Sequence, residues 1–251
     1  MDSKQVLRLN YTEDFRVACR INGVSCDEVL QYFINKVSFY AFNGGEMDAS
    51  AMVATNIILE CKEDLGSNLV PVKDRKVQRV FIKHIEILSK LADNPHLNTL
   101  EKIQESFYLM EEWALEMLPL VDYEIAVLAE DGVSLVISFD FNLLCKVNGL
   151  EVINVLQYFI DRISLPVDRA LNLQGHVKTE SSLVLLEMLL IGRSHADQKI
   201  IKTETYERFR EKLDDLDGWL ADEKSVDARI HAYRVFYLGW YNTLVKGLEG
   251  G

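Results

Sequence analysis

Residues Asp14 to Ser38 align without a gap on Asp140 to Ser164, and twelve of these twenty-five positions are identical. The identities include Asp14 with Asp140, Phe15 with Phe141, Cys19 with Cys145, Asn22-Gly23 with Asn148-Gly149, and the run from Val29 to Ile34 with that from Val155 to Ile160. A repeat constrains the fold more than any single motif, because both copies must satisfy one pattern of local structure. Phe107-Tyr108-Leu109 before Trp113 corresponds more weakly to Phe236-Tyr237-Leu238 before Trp240, with the shift in offset assigned to loop insertions. The chain therefore divides into two modules, residues 1–124 and 125–251, with Pro119 and the stretch from Asp122 to Glu124 closing the first. A duplicated chain is expected to pair its modules about a pseudo-twofold axis.

Within copy one, Phe15, Val17, Cys19 and Ile21 alternate with Arg16, Ala18 and Arg20, the period of a half-buried strand. Phe141, Leu143, Cys145 and Val147 repeat the alternation against Asn142, Leu144 and Lys146, and Asn-Gly ends both segments in a turn. An additional strand is expected around Val133 to Ser138. Ser25 followed by Glu28 reads as a capping box opening a helix with Val29, Leu30, Phe33, Ile34 and Val37 on its apolar face. Asn43-Gly44-Gly45 marks a turn before a second helix from Asp48 to Cys61, with a counterpart from Thr179 to Ile191 after a longer loop containing Pro166 and Gly175. Long amphipathic helices follow at Asp74–Leu91 and Asn98–Leu118, and at Thr203–Ala221 and Ser225–Leu248. The expected fold is mainly α with short β elements, a strand-helix-helix-helix-helix module used twice.

The strand, capped helix, glycine-bearing loop and second helix of residues 15–62 resemble the ribbon-helix-helix family of DNA-binding regulators. That resemblance implies an antiparallel ribbon made by the two copies, whose outward side chains read base edges in the major groove. The outward positions are Arg16, Ala18 and Arg20 with Asn142, Leu144 and Lys146, and Arg, Lys and Asn all hydrogen-bond base edges. Leu144 at a reading position and Glu180 at the start of the second helix depart from the pattern.

Lys73, Arg75, Lys76, Arg79 and Lys83 form the densest basic run, with Lys76, Arg79 and Lys83 on one helical face. They fit a nucleic-acid patch or a solvated face balanced by Asp74 and Glu86. The net charge of −12 opposes general attraction to nucleic acid, so any phosphate-binding surface is a local patch. The same charge supports an alternative function, a protein-protein adaptor with an acidic helical surface.

The longest apolar stretch, near Ser181 to Ile191, is too short to span a bilayer and is interrupted by Glu187, so no membrane is expected. The N-terminus lacks secretory signal character, which points to the cytoplasm. Cys19, Cys26, Cys61 and Cys145 show no Cys-x-x-Cys spacing, and Cys19 and Cys145 take inward register as small core hydrophobes. Gln31, Tyr32, Gln157 and Tyr158 fit either a contact shared by the copies or ordinary helix packing. Phe107, Tyr108 and Trp113, with Phe236, Tyr237, Trp240 and Tyr241, read mainly as core, although adjacent Trp240 and Tyr241 cannot both face inward. His84, His96, His176, His195 and His231 have no metal-ligand spacing. With no phosphate loop, nucleophile elbow or Cys-His constellation either, no cofactor, metal or enzymatic activity is expected, and the expected partner is duplex DNA or another protein.

Overall fold

A computed structural model describes residues 7–41, 48–66, 74–121, 127–173, 175, 179–193 and 204–249. The Asn43-Gly44-Gly45 turn, Lys73, the module boundary near 124, His176 and His195 lie outside the described residues. The chain is mainly helical. The first half of the chain contributes β1 (Leu7–Arg8), α1 (Glu13–Ile21), α2 (Cys26–Lys36), α3 (Ala49–Leu65), α4 (Arg75–Ala92) and α5 (Thr99–Met117). The second half contributes β2 (Val127–Leu128), β3 (Ser134–Leu135), α6 (Phe139–Asn148), α7 (Val152–Asp161), α8 (Leu165–Asn172), α9 (Ser181–Gly192), α10 (Glu204–Leu220) and α11 (Val226–Glu249).

The segments expected as strands, Phe15 to Ile21 and Phe141 to Val147, are the helices α1 and α6. Local chemistry explains the correction. The Thr12 hydroxyl accepts the Phe15 N–H at 3.2 Å and Ser138 accepts the Phe141 N–H at 3.3 Å, so both segments open on an N-cap. Both close on a Schellman motif: Val24 N–H donates to Cys19 O and Gly23 N–H to Arg20 O, while Leu150 donates to Cys145 O and Gly149 to Lys146 O. Gly23 and Gly149 take the left-handed conformation this requires, with φ of 65° and 70°. Asn-Gly therefore terminates helices here. Of the positions assigned outward in a strand, Ala18, Asn142 and Leu144 are buried at 0%, 7% and 8% exposure, which no alternating register allows.

The loop expected around Pro166 is also helical. Ser164 caps α8 by accepting the Val167 N–H, and Pro166 occupies the first turn, where a missing N–H breaks no intrahelical bond.

The described chain forms two compact units: residues 1–10 with 30–158, and residues 11–29 with 159–251. These spatial units differ from the division of the sequence near residue 124, because α1 belongs with helices of the second half and α6 with helices of the first half.

In the first unit the strands form one sheet in the order β1-β2-β3, with β1 parallel to β2 and β2 antiparallel to β3. Its core holds Phe33, Ile34, Ile57, Ile58, Met117 and Phe141. Phe33 and Phe141 meet edge-to-face at 5.3 Å. In the second unit α11 packs on α1 and α8 around Val17, Ala170, Phe209, Tyr233, Tyr237 and Trp240.

Asp217 accepts from Tyr233 at 2.7 Å and from Arg169, tying α8, α10 and α11 together. Burial raises the Tyr233 phenol above its usual value, and the hydrogen bond to Asp217 adds to the rise. No single helix among the described residues is long and apolar enough to cross a membrane.

Candidate interaction surface

The sequence-selected basic residues do not form a ribbon. Arg16 and Arg20 are half-exposed on α1 of the second unit. Lys146 is half-exposed on α6 of the first unit, where Asn142 faces the core. Lys76, Arg79 and Lys83 are exposed on α4, also in the first unit. Lys76 and Lys146 both act electrostatically on Asp74, the N-cap of α4. The Asp74 carboxylate is held below its usual range first by accepting the Lys76 and Val77 N–H groups, then by these two lysines. Lys83 contacts Glu116 of α5, so its charge is partly balanced.

The more distinctive surface is on α5. Its start is well defined: Asn98 accepts the Leu100 and Glu101 N–H groups, while Glu101 accepts the Asn98 N–H at 2.8 Å. Lys102 donates to the Ala92 carbonyl near the end of α4, pinning the hairpin. The inner face of α5 buries Met110, Trp113, Ala114 and Met117. Trp113 meets Phe39 and Phe81 edge-on at 5.1 and 5.5 Å, and stacks on His84 with 4° between the rings. Burial lowers the His84 pKa and the nearby Glu116 carboxylate opposes that shift, Nε2 to Oε2 being 3.4 Å.

Several apolar residues of α5 are exposed to solvent alongside its glutamates. Leu100 is 77% exposed and Leu115 61%, with Ile103, Phe107 and Tyr108 also exposed. Ile103 and Phe107 continue the stripe of Met110, Ala114 and Met117 toward the start of the helix, where it is open to solvent, and Phe107 stacks on Tyr40 at 5.2 Å; Tyr108 and Leu115 lie on the side away from that stripe. The exposed charges interleaved with them are Glu101, Glu105, Glu111, Glu112 and Glu116. Sequence reading placed Phe107 and Tyr108 in the core with Trp113; only the tryptophan is there. The available signal was the distribution of apolar residues around most of the α5 wheel, wider than one buried face needs.

The second unit offers smaller features. Trp219 on α10 is exposed, while Trp240 is buried and Tyr241 half-buried, as their adjacency requires. A cavity of about 170 Å³ is lined by Asp161, Arg162, Ser164, Asp168, Asn172 and Glu180, among others. Its polar wall is largely self-satisfied, since Asn172 donates to Asp168 and Arg162 pairs with Glu180. Among the described residues no three His, Cys, Asp or Glu side chains converge as metal ligands. Comparison with protein-family models, curated proteins and solved structures finds no match to this chain.

Proposed function

We propose that this chain is a non-enzymatic protein-interaction adaptor whose contact surface is formed by the exposed apolar residues of α5. The observation that carries this reading is the exposure of five large apolar residues, Leu100, Ile103, Phe107, Tyr108 and Leu115, on one capped helix. Single exposed leucines are ordinary on protein surfaces, whereas several large apolar residues exposed on one helix are what helix-in-groove partners bury. The interleaved glutamates select the occupant by charge: an amphipathic segment of another protein with apolar anchors flanked by lysine or arginine. Net charge −12 extends that preference beyond the contact itself. In this reading the sequence copies are a duplicated, pseudo-twofold module, and divergence of the last helices gives copy one the binding face.

A photo-crosslinking amino acid at position 107, with an equivalent probe at exposed Arg210 as control, tests the adaptor reading in the cell of origin. Capture of one stoichiometric protein through position 107, lost in Leu100→Glu/Leu115→Glu, is the expected result. Capture that is equal at position 210, or unaffected by the glutamates, overturns it.

A DNA-regulatory reading has its own support in Lys76 and Lys146 beside Asp74, with Arg79 exposed on the same helix as Lys76. This patch replaces the ribbon as the route to phosphate. Anisotropy of labelled duplex DNA at low and near-physiological salt measures it: salt-sensitive binding lost in Lys76→Ala/Arg79→Ala/Lys146→Ala supports this second reading, and absence of binding at low salt removes it.

A further inference from the structure

The two helices of the α4–α5 hairpin divide their charge by sign. α4 carries Arg75, Lys76, Arg79, Lys83 and Lys90 against the one carboxylate Glu86. α5 carries Glu101, Glu105, Glu111, Glu112 and Glu116 against the one amine Lys102. Lys83 already meets Glu116 inside the hairpin. Arg79, Lys90, Glu105 and Glu112 are exposed and make no ion pair among the described residues.

Apolar side chains stand among these charges. Ile82 of α4 is 56% exposed, and Tyr108 and Leu115 of α5 are 51% and 61% exposed. Ile82 is two residues before the buried His84, Tyr108 two before the buried Met110, and Leu115 two after the buried Trp113. Two residues turn a helix by about 200°, so each of the three lies on the side away from the core. The hairpin thus presents to solvent one basic and one acidic helix, both with apolar side chains between the charges.

Such a surface is complementary to itself. A twofold axis running along the hairpin lays α4 of one copy on α5 of the other and keeps every residue at its own level. Those levels are set by Lys83 beside Glu116 and by Lys102 against the Ala92 carbonyl. Ile82 then comes within a turn of Leu115 of the other copy, and Lys90 meets the turn that carries Glu105 and Tyr108. An axis across the hairpin would instead stack basic α4 on basic α4, which like charge opposes.

We propose that the side of α5 carrying Tyr108 and Leu115 is occupied by α4 of a second copy, so that this chain self-associates as a twofold dimer through its α4–α5 hairpin. The proposal rests on the reading of the exposed apolar residues of α5 as a contact surface, and it supplies the occupant. α4 is itself an amphipathic segment with an apolar anchor, Ile82, flanked by Arg79 and Lys83. Burial of Ile82, Tyr108 and Leu115 drives the association, and the opposed charges select α4 on α5 over like on like.

Sedimentation velocity of the purified full chain over a wide range of concentration, at low and at high salt, reads the association. The expected result is a dimer that forms as concentration rises and weakens as salt is added. Two charge-reversed variants, each checked for parental helical circular dichroism, test the pairing. Arg79→Glu/Lys90→Glu and Glu105→Lys/Glu112→Lys should each be monomeric alone, because each sets like charges across both halves of the contact. Mixed together they should dimerise, since α4 of either then meets an oppositely charged α5. A parental chain that is monomeric at every concentration overturns the dimer and leaves the α5 surface to a different protein, which the crosslink from position 107 detects. A dimer that either variant retains alone, or a mixture that stays monomeric, overturns the pairing of α4 with α5.

Discussion

Gln157 holds Asn10 by both backbone groups, its amide oxygen accepting the Asn10 N–H at 3.1 Å and its amide nitrogen donating to the Asn10 carbonyl at 2.8 Å. Gln31 makes the same pair of bonds with Val136, at 3.0 and 2.9 Å. Gln31 aligns with Gln157 and Asn10 precedes α1 as Val136 precedes α6, so the glutamine of each aligned segment clasps the chain entering the first helix of the other. A primary amide suits this role because it presents a donor and an acceptor to one peptide edge.

Replacing either glutamine by Ala should cost about 1 kcal/mol, two solvent-accessible neutral hydrogen bonds being only partly replaced by water. Gln157→Glu keeps the acceptor and loses the donor, so it should also destabilise. Urea unfolding measures both; a midpoint unchanged in Gln157→Ala and Gln31→Ala would show that the clasps contribute nothing.

Asp14 and Asp140 align but meet different partners. Asp14 accepts from the Ser164 hydroxyl at 2.6 Å and from Arg234 at 2.9 and 3.2 Å. Among the described residues the hydrogen bond to Asp140 is the Phe39 N–H at 2.9 Å, and burial raises its pKa against that bond. A raised folded-state pKa means the native state binds the proton more tightly than the unfolded state. The associated stability is full below the ordinary aspartate value and is lost as pH rises through the higher folded value. Asp140→Asn, which preserves an acceptor for Phe39, removes this loss, so its stability relative to the parent should increase from pH 3 to 7. Asp14→Asn should instead lose about 1 kcal/mol at pH 7, the exposed part of the Arg234 pair being screened. Urea midpoints across pH test both, and parallel pH profiles for Asp140→Asn and the parent would refute the Asp140 assignment.

Helix ends were the most legible part of the sequence, because caps are local. Asp74, Asn98 and Ser25 were read as starts, and their side chains accept first-turn N–H groups in the structure. The Glu28 half of the expected capping box goes elsewhere: its carboxylate binds Arg193 at 2.7 and 2.8 Å. α1 was misread because seven residues fit both periods, and Ala18 with adjacent Leu143 and Leu144 was the discriminating evidence for helix. The placement of α1 with helices of the second half of the chain, and of α6 with helices of the first, was illegible, since it depends on long-range packing. The exposed apolar residues of α5 were hidden by the assumption that apolar residues at helical spacing are core.

Gly23 and Gly149 should resist substitution equally despite belonging to different units. Each adopts positive φ in the turn that closes its helix, so Ala is expected to destabilise by about 1 kcal/mol, and Asn, which tolerates the left-handed region better, by less. Thermal unfolding of the four single variants measures the order, and Ala tolerated as well as Gly at both sites would contradict the turn geometry.

Trp113 and Leu115 lie two residues apart on α5 and should respond in opposite ways. Trp113 fills the contact among Phe39, Phe81 and His84, so Trp113→Ala leaves a cavity and is expected to cost about 3–5 kcal/mol. Leu115 is mostly exposed, and Leu115→Glu should change stability by less than about 0.5 kcal/mol. A residue whose large apolar side chain adds nothing to the isolated fold is available for a contact outside it. If Leu115→Glu were as destabilising as Trp113→Ala, Leu115 would belong to the core of the chain and the adaptor reading would lose part of its surface. A stable Leu115→Glu chain that no longer captures its partner would place the binding energy on the exposed apolar residues of α5.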